Sequence, residues 1–376
     1  MKHKVDISNR FAIVMAGGRG ERFWPVSREK RPKQLIKLLG ERSFLQEAVE
    51  RIRPLVPPHN VFVITNAAQA ADVRKQLPRA LKANVVAEPI GRDTCAAVTL
   101  GAAIVAARAP GGVMAVLPAD HVIPDADAFR RVLSDAFDVA GERHEIVTIG
   151  IEPTEPATGY GYIRLGRPLE VAGARSGRAA FRRAERFVEK PPHARAVKYL
   201  QSGRYRWNAG MFVWSVATIT ESLAMHQPAM HAAWRRWRKA ASDGPARLAD
   251  VLAREYPRIE KISIDYALLE RADNVVVADG TFEWDDLGSW TALARHIAAD
   301  AAGNCAVGDL VAVDAADNIV FDARTKRRTP IALVGLRDCI VVQTDDAVLV
   351  AHKGEAQKIK QLVAKLAADG RFENLV

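Results

Sequence analysis

The chain has 376 residues, 49% of them hydrophobic and 26% charged, with a formal charge of +10 at neutral pH. That length is more than one hydrophobic core usually fills, so a main domain with a smaller companion is expected, and the composition excludes a disordered or fibrous chain. The basic residues are spread along the chain, in modest clusters at Arg182-Arg183-Arg186, Arg235-Arg236-Arg238-Lys239 and Lys326-Arg327-Arg328 that aromatics do not interleave, which argues against a nucleic-acid groove.

In chain order, Phe11 to Met15, Val61 to Thr65, Asn84 to Ala87, Val113 to Leu117 and Ile146 to Ile149 read as short buried strands closed by Gly, Pro, Asp or Asn. Helical patterns lie between them. Ser43-Phe44-Leu45-Gln46 reads as a capping box opening a helix with Leu45, Ala48, Val49 and Ile52 on one face. Thr94 opens a small-residue run to Arg108, and Asp125 opens a third helix carrying Phe129, Val132, Leu133, Ala136 and Phe137. Such alternation predicts an α/β fold, a Rossmann-like mixed and mostly parallel sheet with flanking helices.

From Glu152 the rhythm is less regular. Thr158-Gly159-Tyr160-Gly161-Tyr162 marks a turn, Phe187-Val188-Glu189-Lys190-Pro191 a strand end, and Met230 to Glu255 a charged amphipathic helical segment with Trp234 and Trp237 as packing residues. After about Asp300, short strands punctuated every eight to ten residues predict a small C-terminal β-rich unit, a β-helical solenoid or a sandwich, closed by an amphipathic helix over Lys358 to Ala368. The expected domains are therefore 1–300 and 301–376.

Cys95, Cys305 and Cys339 are an odd count without a CxxC pair, so neither a disulfide framework nor a zinc site is expected. The apolar stretch Phe11 to Ala16 is too short for a signal segment, and no stretch nears the ~18 apolar residues of a membrane span. A cytoplasmic protein without membrane association is the expectation.

The chemistry concentrates in a few places. Ala16-Gly17-Gly18-Arg19-Gly20-Glu21-Arg22-Phe23-Trp24-Pro25 follows the first strand, where glycines let backbone N–H groups approach phosphates. Phe23 and Pro25 break the dinucleotide-binding fingerprint, and no Gly-Lys-Ser/Thr P-loop exists. A loop that binds phosphate with its own cations Arg19, Arg22 and Lys33 remains, against a bare strand-to-loop turn. Asp120, in Leu117-Pro118-Ala119-Asp120-His121, stands just past a strand's carboxyl end, where ligands bind in open α/β sheets and where a carboxylate can hold Mg²⁺. Trp284-Asp285-Asp286-Leu287-Gly288 offers a second acidic site, and Glu189-Lys190, Asn208 and Asp265 add polar groups in apolar surroundings.

Together these segments resemble the sugar nucleotide pyrophosphorylases, and most closely the mannose-1-phosphate guanylyltransferases. Six blocks in order carry the likeness: Ala16 to Lys33, Glu88 to Ala96, Leu117 to His121, Thr158 to Ile163, Phe187 to Phe212 and Ser263 to Trp290. The resemblance implies a nucleotidyltransferase fold that joins GTP and mannose 1-phosphate with Mg²⁺ or another divalent cation. It implies Gly17, Gly18, Gly20, Glu88 and Arg92 for the nucleotide, with Glu88 reading the base, and Arg22 and Lys33 as the charge-stabilising catalytic pair. It implies Asp120 and Asp286 for the metal, and Gly161, Glu189, Lys190, Asn208 and Asp265 for the sugar phosphate. A homodimer is an expected assembly. Asp93 stands where Asn is more usual, and Asp285 and Ala209 where Ser is common; Asp93 adds negative charge near the nucleotide. The cupin-like isomerase domain that some relatives carry is not expected here.

A sugar 1-phosphate is ionised at about pH 7, its second pKa lying near ~6, so the reaction needs no general base. Repulsion between polyanions and charge on the leaving pyrophosphate are the obstacles, and cations with a carboxylate-held metal meet them. Another sugar 1-phosphate or nucleotide, or a non-catalytic sugar-nucleotide sensor, stays open as an alternative. The presence of Arg22, Lys33, Asp120 and Asp286 favours an enzyme.

Overall fold

The β-branched runs form strands and the amphipathic runs between them cross over as helices, because each element can bury its apolar face only against the other. The computed structural model describes residues 6–18, 20–171, 179–325 and 329–376, so Arg19 and the Lys326-Arg327-Arg328 cluster lie outside the described residues. Nine strands make the main sheet: β1 Arg10–Met15, β2 Val61–Asn66, β3 Val85–Glu88, β4 Val113–Pro118, β5 Ile146–Ile151, β6 Tyr162–Pro168, β7 Phe181–Val188, β8 Tyr205–Ser215 and β9 Val275–Gly280. Their spatial order is β3-β2-β1-β4-β8-β5-β9-β7-β6.

The sheet is mixed. The first four strands are parallel, β5 and β9 pair in parallel, and every other pairing, including all those of β8, is antiparallel. Strand β8 holds the halves together, its end Phe212–Ser215 lying on β4 and its start Tyr205–Trp207 on β6, with β5 beside both. This strand, like β6 and β9, is not among the expected ones, since Gly210 and Asn208 interrupt its apolar run, whereas β7 ends at Val188, where a strand end is expected.

Alternation along β1 sends Phe11 and Ile13 to one core and Ala12 and Val14 to the other. On the first face lie the helices Asp93–Arg108, Val216–His226 and Pro228–Ser242; on the second lie Phe44–Ile52 and Ala126–Glu142. The capping box at Ser43 is formed, its hydroxyl accepting from Gln46 N while the Gln46 side chain accepts from Ser43 N. The amphipathic segment around Trp234 divides into two helices, Pro228–Ser242 and Pro245–Glu255, because Gly244 ends the first and Pro245 occupies the opening position of the second. Trp237 is fully buried.

Winding runs from β1 through β2 to β3 and then returns to β4 on the other side of β1, so the strand order reverses between β1 and β4. Met15 and Pro118 are register partners there. The loops after β1 and β4 leave the sheet side by side at this switch point, which is where open α/β sheets bind ligands.

Beyond residue 300 come β10 Cys305–Val307, β11 Leu310–Val313, β12 Ile319–Asp322, β13 Ile331–Val334, β14 Cys339–Gln343 and β15 Val348–His352. Parallel β10-β12-β14 stack on one face and parallel β11-β13 on another, the pattern of a β-helix, and β15 closes the first face antiparallel. Buried asparagines brace its corners: Asn318 Nδ2 donates to Asn304 Oδ1 (2.9 Å) and Leu336 O (2.9 Å), and Asn318 Oδ1 accepts from Cys339 N (2.9 Å). The coils dock on the loop after β1. Ile340, Val342 and Ile359 share a core with Phe23, Trp24 and Trp290, and Trp24 Nε1 donates to Leu375 O at 2.8 Å. No helix among the described residues is long and apolar enough to cross a membrane.

Candidate functional site

The loop after β1 is fixed by a buried amide. Gln34 Nε2 donates to Ala16 O at 2.7 Å and Gly18 O at 3.1 Å, and Thr65 Oγ1 donates to Ala16 O at 2.8 Å. Gly20 adopts φ +64°, and a β-carbon there would fall 2.5 Å from Lys33 Cβ, so only glycine suits this position. At Gly17 a β-carbon would lie 3.2 Å from Glu88 Oε2, while the Gly18 position is open.

Gly20, Arg22, Lys33, Asp120, His121 and Asp286 line one cavity of about 470 Å³. Arg22 is exposed and makes no hydrogen bond or ion pair among the described residues, leaving its guanidinium free for a ligand. Lys33 is buried, and its ammonium donates to Asp120 Oδ2 at 3.0 Å and to Asp286 O at 2.5 Å, so one cation joins the loop after β4 to the Trp284–Gly288 loop. Burial pushes the Asp120 carboxyl up, but the charge and hydrogen bond of Lys33 outweigh it and hold the group below its ordinary range. At Asp286 burial wins over Lys33 and the Tyr160 hydroxyl, and the carboxyl rises.

Two carboxylates facing a cavity that also holds an unpaired arginine fit a hard cation which takes most of its oxygens from phosphate and water. His121 is no rival base. Its Nδ1 accepts from Trp284 Nε1 at 3.0 Å, and burial pushes its pKa down to about 4, so it is a neutral, packed neighbour of Asp120. Asp285 is absorbed structurally, accepting from Leu287 N (2.8 Å), Arg295 Nη2 (2.9 Å) and His296 Nε2 (2.9 Å).

The five residues assigned to the sugar phosphate come together at the β6–β8 edge. A β-carbon on Gly161 would lie 2.6 Å from Glu189 Oε2 and 3.5 Å from Asn208 Cβ. Asn208 Nδ2 donates to Asp265 Oδ1 at 2.7 Å, and Lys190 Nζ pairs with Glu189 Oε1 at 2.6 Å. Asp265 opens a π-helical turn, Asp265–Leu269, a geometry frequent at functional sites. Burial, reinforced by the Glu189 charge, raises its carboxyl to about 6. Tyr160 connects the two regions: it precedes Gly161, donates to Asp286 Oδ1 at 3.0 Å, and packs edge-on against Trp207 and Trp284.

Glu88 ends β3 and faces Gly17, with its Oε1 accepting from the buried Tyr256 hydroxyl. Burial raises its carboxyl, and the Tyr256 bond opposes that rise. On this side a second cavity of about 440 Å³ is lined by Gly17, Asn66, Gln69, Gly91 and Lys261. Neither Glu88 nor Arg92 is in that lining: Glu88 lies buried behind Gly17, and Arg92 Nη2 donates to Pro257 O. Sequence reasoning missed Gln34, Tyr160 and Tyr256. Tyr160 stood inside a quoted turn motif, but its partner is 126 positions away.

Residues 11–303 match the family model described as nucleotidyl transferase, and residues 308–366 match that of the MannoseP isomerase/GMP-like beta-helix domain. The chain is 38% identical to xanthan biosynthesis protein XanB of Xanthomonas campestris pv. campestris (strain B100), over 98% of this chain and 75% of that protein. It is 37% identical to mannose-1-phosphate guanylyltransferase of Escherichia coli (strain K12), over 98% of this chain and 76% of that one. Among solved structures, a protein described as mannose-1-phosphate geranyltransferase from Thermus thermophilus superposes with a TM-score of 0.80 at 38% identity, over 95% of this chain and 99% of that chain.

Proposed function

The chain belongs to the nucleotidyl transferase family, and on that footing we propose that it transfers the guanylyl group of GTP to mannose 1-phosphate, giving GDP-mannose and pyrophosphate. The observation that carries the site assignment is the convergence of Arg22, Lys33, Asp120 and Asp286 on one cavity at the switch point, joined through Tyr160 to the Gly161–Glu189–Asn208–Asp265 cluster.

The sugar phosphate is its own nucleophile, so the residues have to position and neutralise. Glu189 and Asp265 accept from sugar hydroxyls, and Lys190 meets the phosphate monoester. A phosphate oxygen attacks the α-phosphorus in line, the bond from that phosphorus to the bridging oxygen breaks, and Arg22 and Lys33 take up the charge gained by the departing pyrophosphate. Asp120 and Asp286 would hold Mg²⁺, which supplies neutralisation of phosphate charge at the reacting centre. Gly17, Gly18 and Gly20 let the loop backbone approach the triphosphate, with the base and ribose in the cavity lined by Gly17, behind which the buried Glu88 carboxyl lies. A carboxylate there accepts from both guanine donors, N1–H and N2–H, and repels the carbonyls of uracil. Arg92 serves that cavity by holding the Pro257 segment against the helix it caps.

The domain division at 300/301 is supported by where the main sheet ends and the coils begin. Three free cysteines, two of them buried, support a reducing cytoplasmic compartment. Val311, Val313 and Val334 stand 55%, 55% and 73% exposed on the outer β11–β13 pair, an apolar stripe that supports a homodimer through this face. The test of the function is pyrophosphate release with four nucleoside triphosphates crossed against a panel of sugar 1-phosphates. GTP with mannose 1-phosphate is expected to lead, and silence with every pair would overturn the enzyme reading.

A further inference from the structure

The cavity at the switch point is not built from the main domain alone. Lys360, from the helix Ile359–Ala368 that closes the C-terminal coils, lines it together with Arg22, Lys33, Asp120 and Asp286. Its placement is over-determined. The preceding residue, Ile359, is 3% exposed in the core shared with Phe23 and Trp24. Arg28 further clasps Asp346 with its two Nη atoms at 2.8 and 2.5 Å, and Trp24 binds Leu375 O. The loop that carries Arg22 and the helix that carries Lys360 are therefore packed as one body.

Lys360 is exposed and makes no ion pair or hydrogen bond among the described residues, whereas Lys358, two positions earlier, is spent on Glu355 at 2.5 Å. An unpaired ammonium lining the same cavity as the unpaired Arg22 guanidinium is placed for an anion brought in with the substrate. We propose that Lys360 binds the β- and γ-phosphates of the incoming nucleotide, and hence the pyrophosphate product, so that the C-terminal unit completes the phosphate site. This rests on the guanylyltransferase reading above. Lys360 touches the leaving group and not the sugar, whose pocket lies across Tyr160, so its effect belongs to the triphosphate side alone.

The full-length chain carrying Lys360→Gln is assayed forward with GTP and mannose 1-phosphate and in reverse with GDP-mannose and pyrophosphate. The expected result is a KM for GTP and for pyrophosphate raised about tenfold, the worth of one charge-assisted hydrogen bond, with KM for mannose 1-phosphate and for GDP-mannose and the thermal midpoint unchanged. Lys360→Arg restores most of the loss, and Lys365→Gln, on the same helix away from the cavity, behaves as wild type. Wild-type KM values for GTP and pyrophosphate in K360Q, or an equal rise in all four KM values, would overturn the assignment. The unmodified protein run alongside separates the two readings: if it makes GDP-mannose while K360Q is unaltered, only the role of Lys360 fails. If it is inert in both directions, the transferase reading fails and takes this role with it.

Discussion

Replacing Gly20 by alanine tests the loop after β1 at its tightest point. The residue sits at φ +64°, and the added β-carbon would stand 2.5 Å from Lys33 Cβ and 3.0 Å from Lys33 N. Carbon atoms rest comfortably at about 3.5–4.0 Å, so the two segments must part by about 1 Å. The left-handed conformation costs alanine about 1 kcal/mol and the forced separation about 1–3 kcal/mol, together about 2–4 kcal/mol of stability. Lys33 moves with its backbone and leaves both Asp120 Oδ2 and Asp286 O, the contacts that align the two loops. A misplacement of about 1 Å in such a constellation costs on the order of a hundredfold in rate. Pyrophosphate release should therefore report kcat/KM about a hundredfold down, and a thermal melt should shift down by roughly 5 °C. Gly111→Ala, in the turn before β4 and outside both cavities, where the new methyl meets nothing within 4 Å, is the matched control and should stay within about threefold of wild type. A G20A protein with unaltered kcat/KM and melting midpoint would refute the reasoning.

Four further outcomes follow from the same geometry. Glu88→Gln replaces one acceptor oxygen by a donor, so the preference for GTP over UTP should fall about tenfold or more, read from kcat/KM with each nucleotide; an intact preference would mean that the base is read elsewhere. Asp286→Ala should lower magnesium-dependent turnover about 10²–10³-fold with an unchanged circular dichroism spectrum, and near-normal activity would remove this residue from the metal set. Asp265 has its folded-state pKa raised by burial from 3.8 to about 6, so the native chain retains a proton that the unfolded chain releases, and stability falls as pH rises through that window. Asp265→Asn should flatten the fall in melting midpoint across it while raising KM for mannose 1-phosphate; a wild-type slope in the variant would contradict the assignment. Asn318→Ala strips partners from Asn304 Oδ1, Leu336 O and Cys339 N inside the coil corner and should cost about 3 kcal/mol in urea unfolding, and a loss under about 1 kcal/mol would show that the ladder is dispensable.

The parallel half of the sheet was legible because each of its strands is a short β-branched run with a helix behind it, and the capping box at Ser43 is a local signal read over four residues. Of the antiparallel half, only β5 and the end of β7 were. Strand β8 takes its identity from three different neighbours, and no window of sequence holds the partners of Asn208 and Gly210. The same division runs through the site. Gly20, Arg22 and Lys33, which line the first cavity, lie within one motif and could be read together, and Asp120, which lines it too, stands just past a strand. Gln34, one residue past Lys33, was passed over because its role depends on the carbonyls of Ala16 and Gly18, which become neighbours only once the loop has closed. Lys360 carries no motif at all; only the docking of the coils brings it to the cavity.

The apolar core that joins Phe23, Trp24 and Trp290 to Phe321, Ile340 and Val342 has a consequence for how the molecule comes apart. If the coils melted first, they would uncover two tryptophans and a phenylalanine beside the loop after β1, a cost of about 1.5–3 kcal/mol for each large side chain returned to water. The two units are therefore thermodynamic hostages to each other: heat should produce one transition, not two. An exchange of coils with a relative should succeed only when the stretch from Phe23 to Arg28 travels with them.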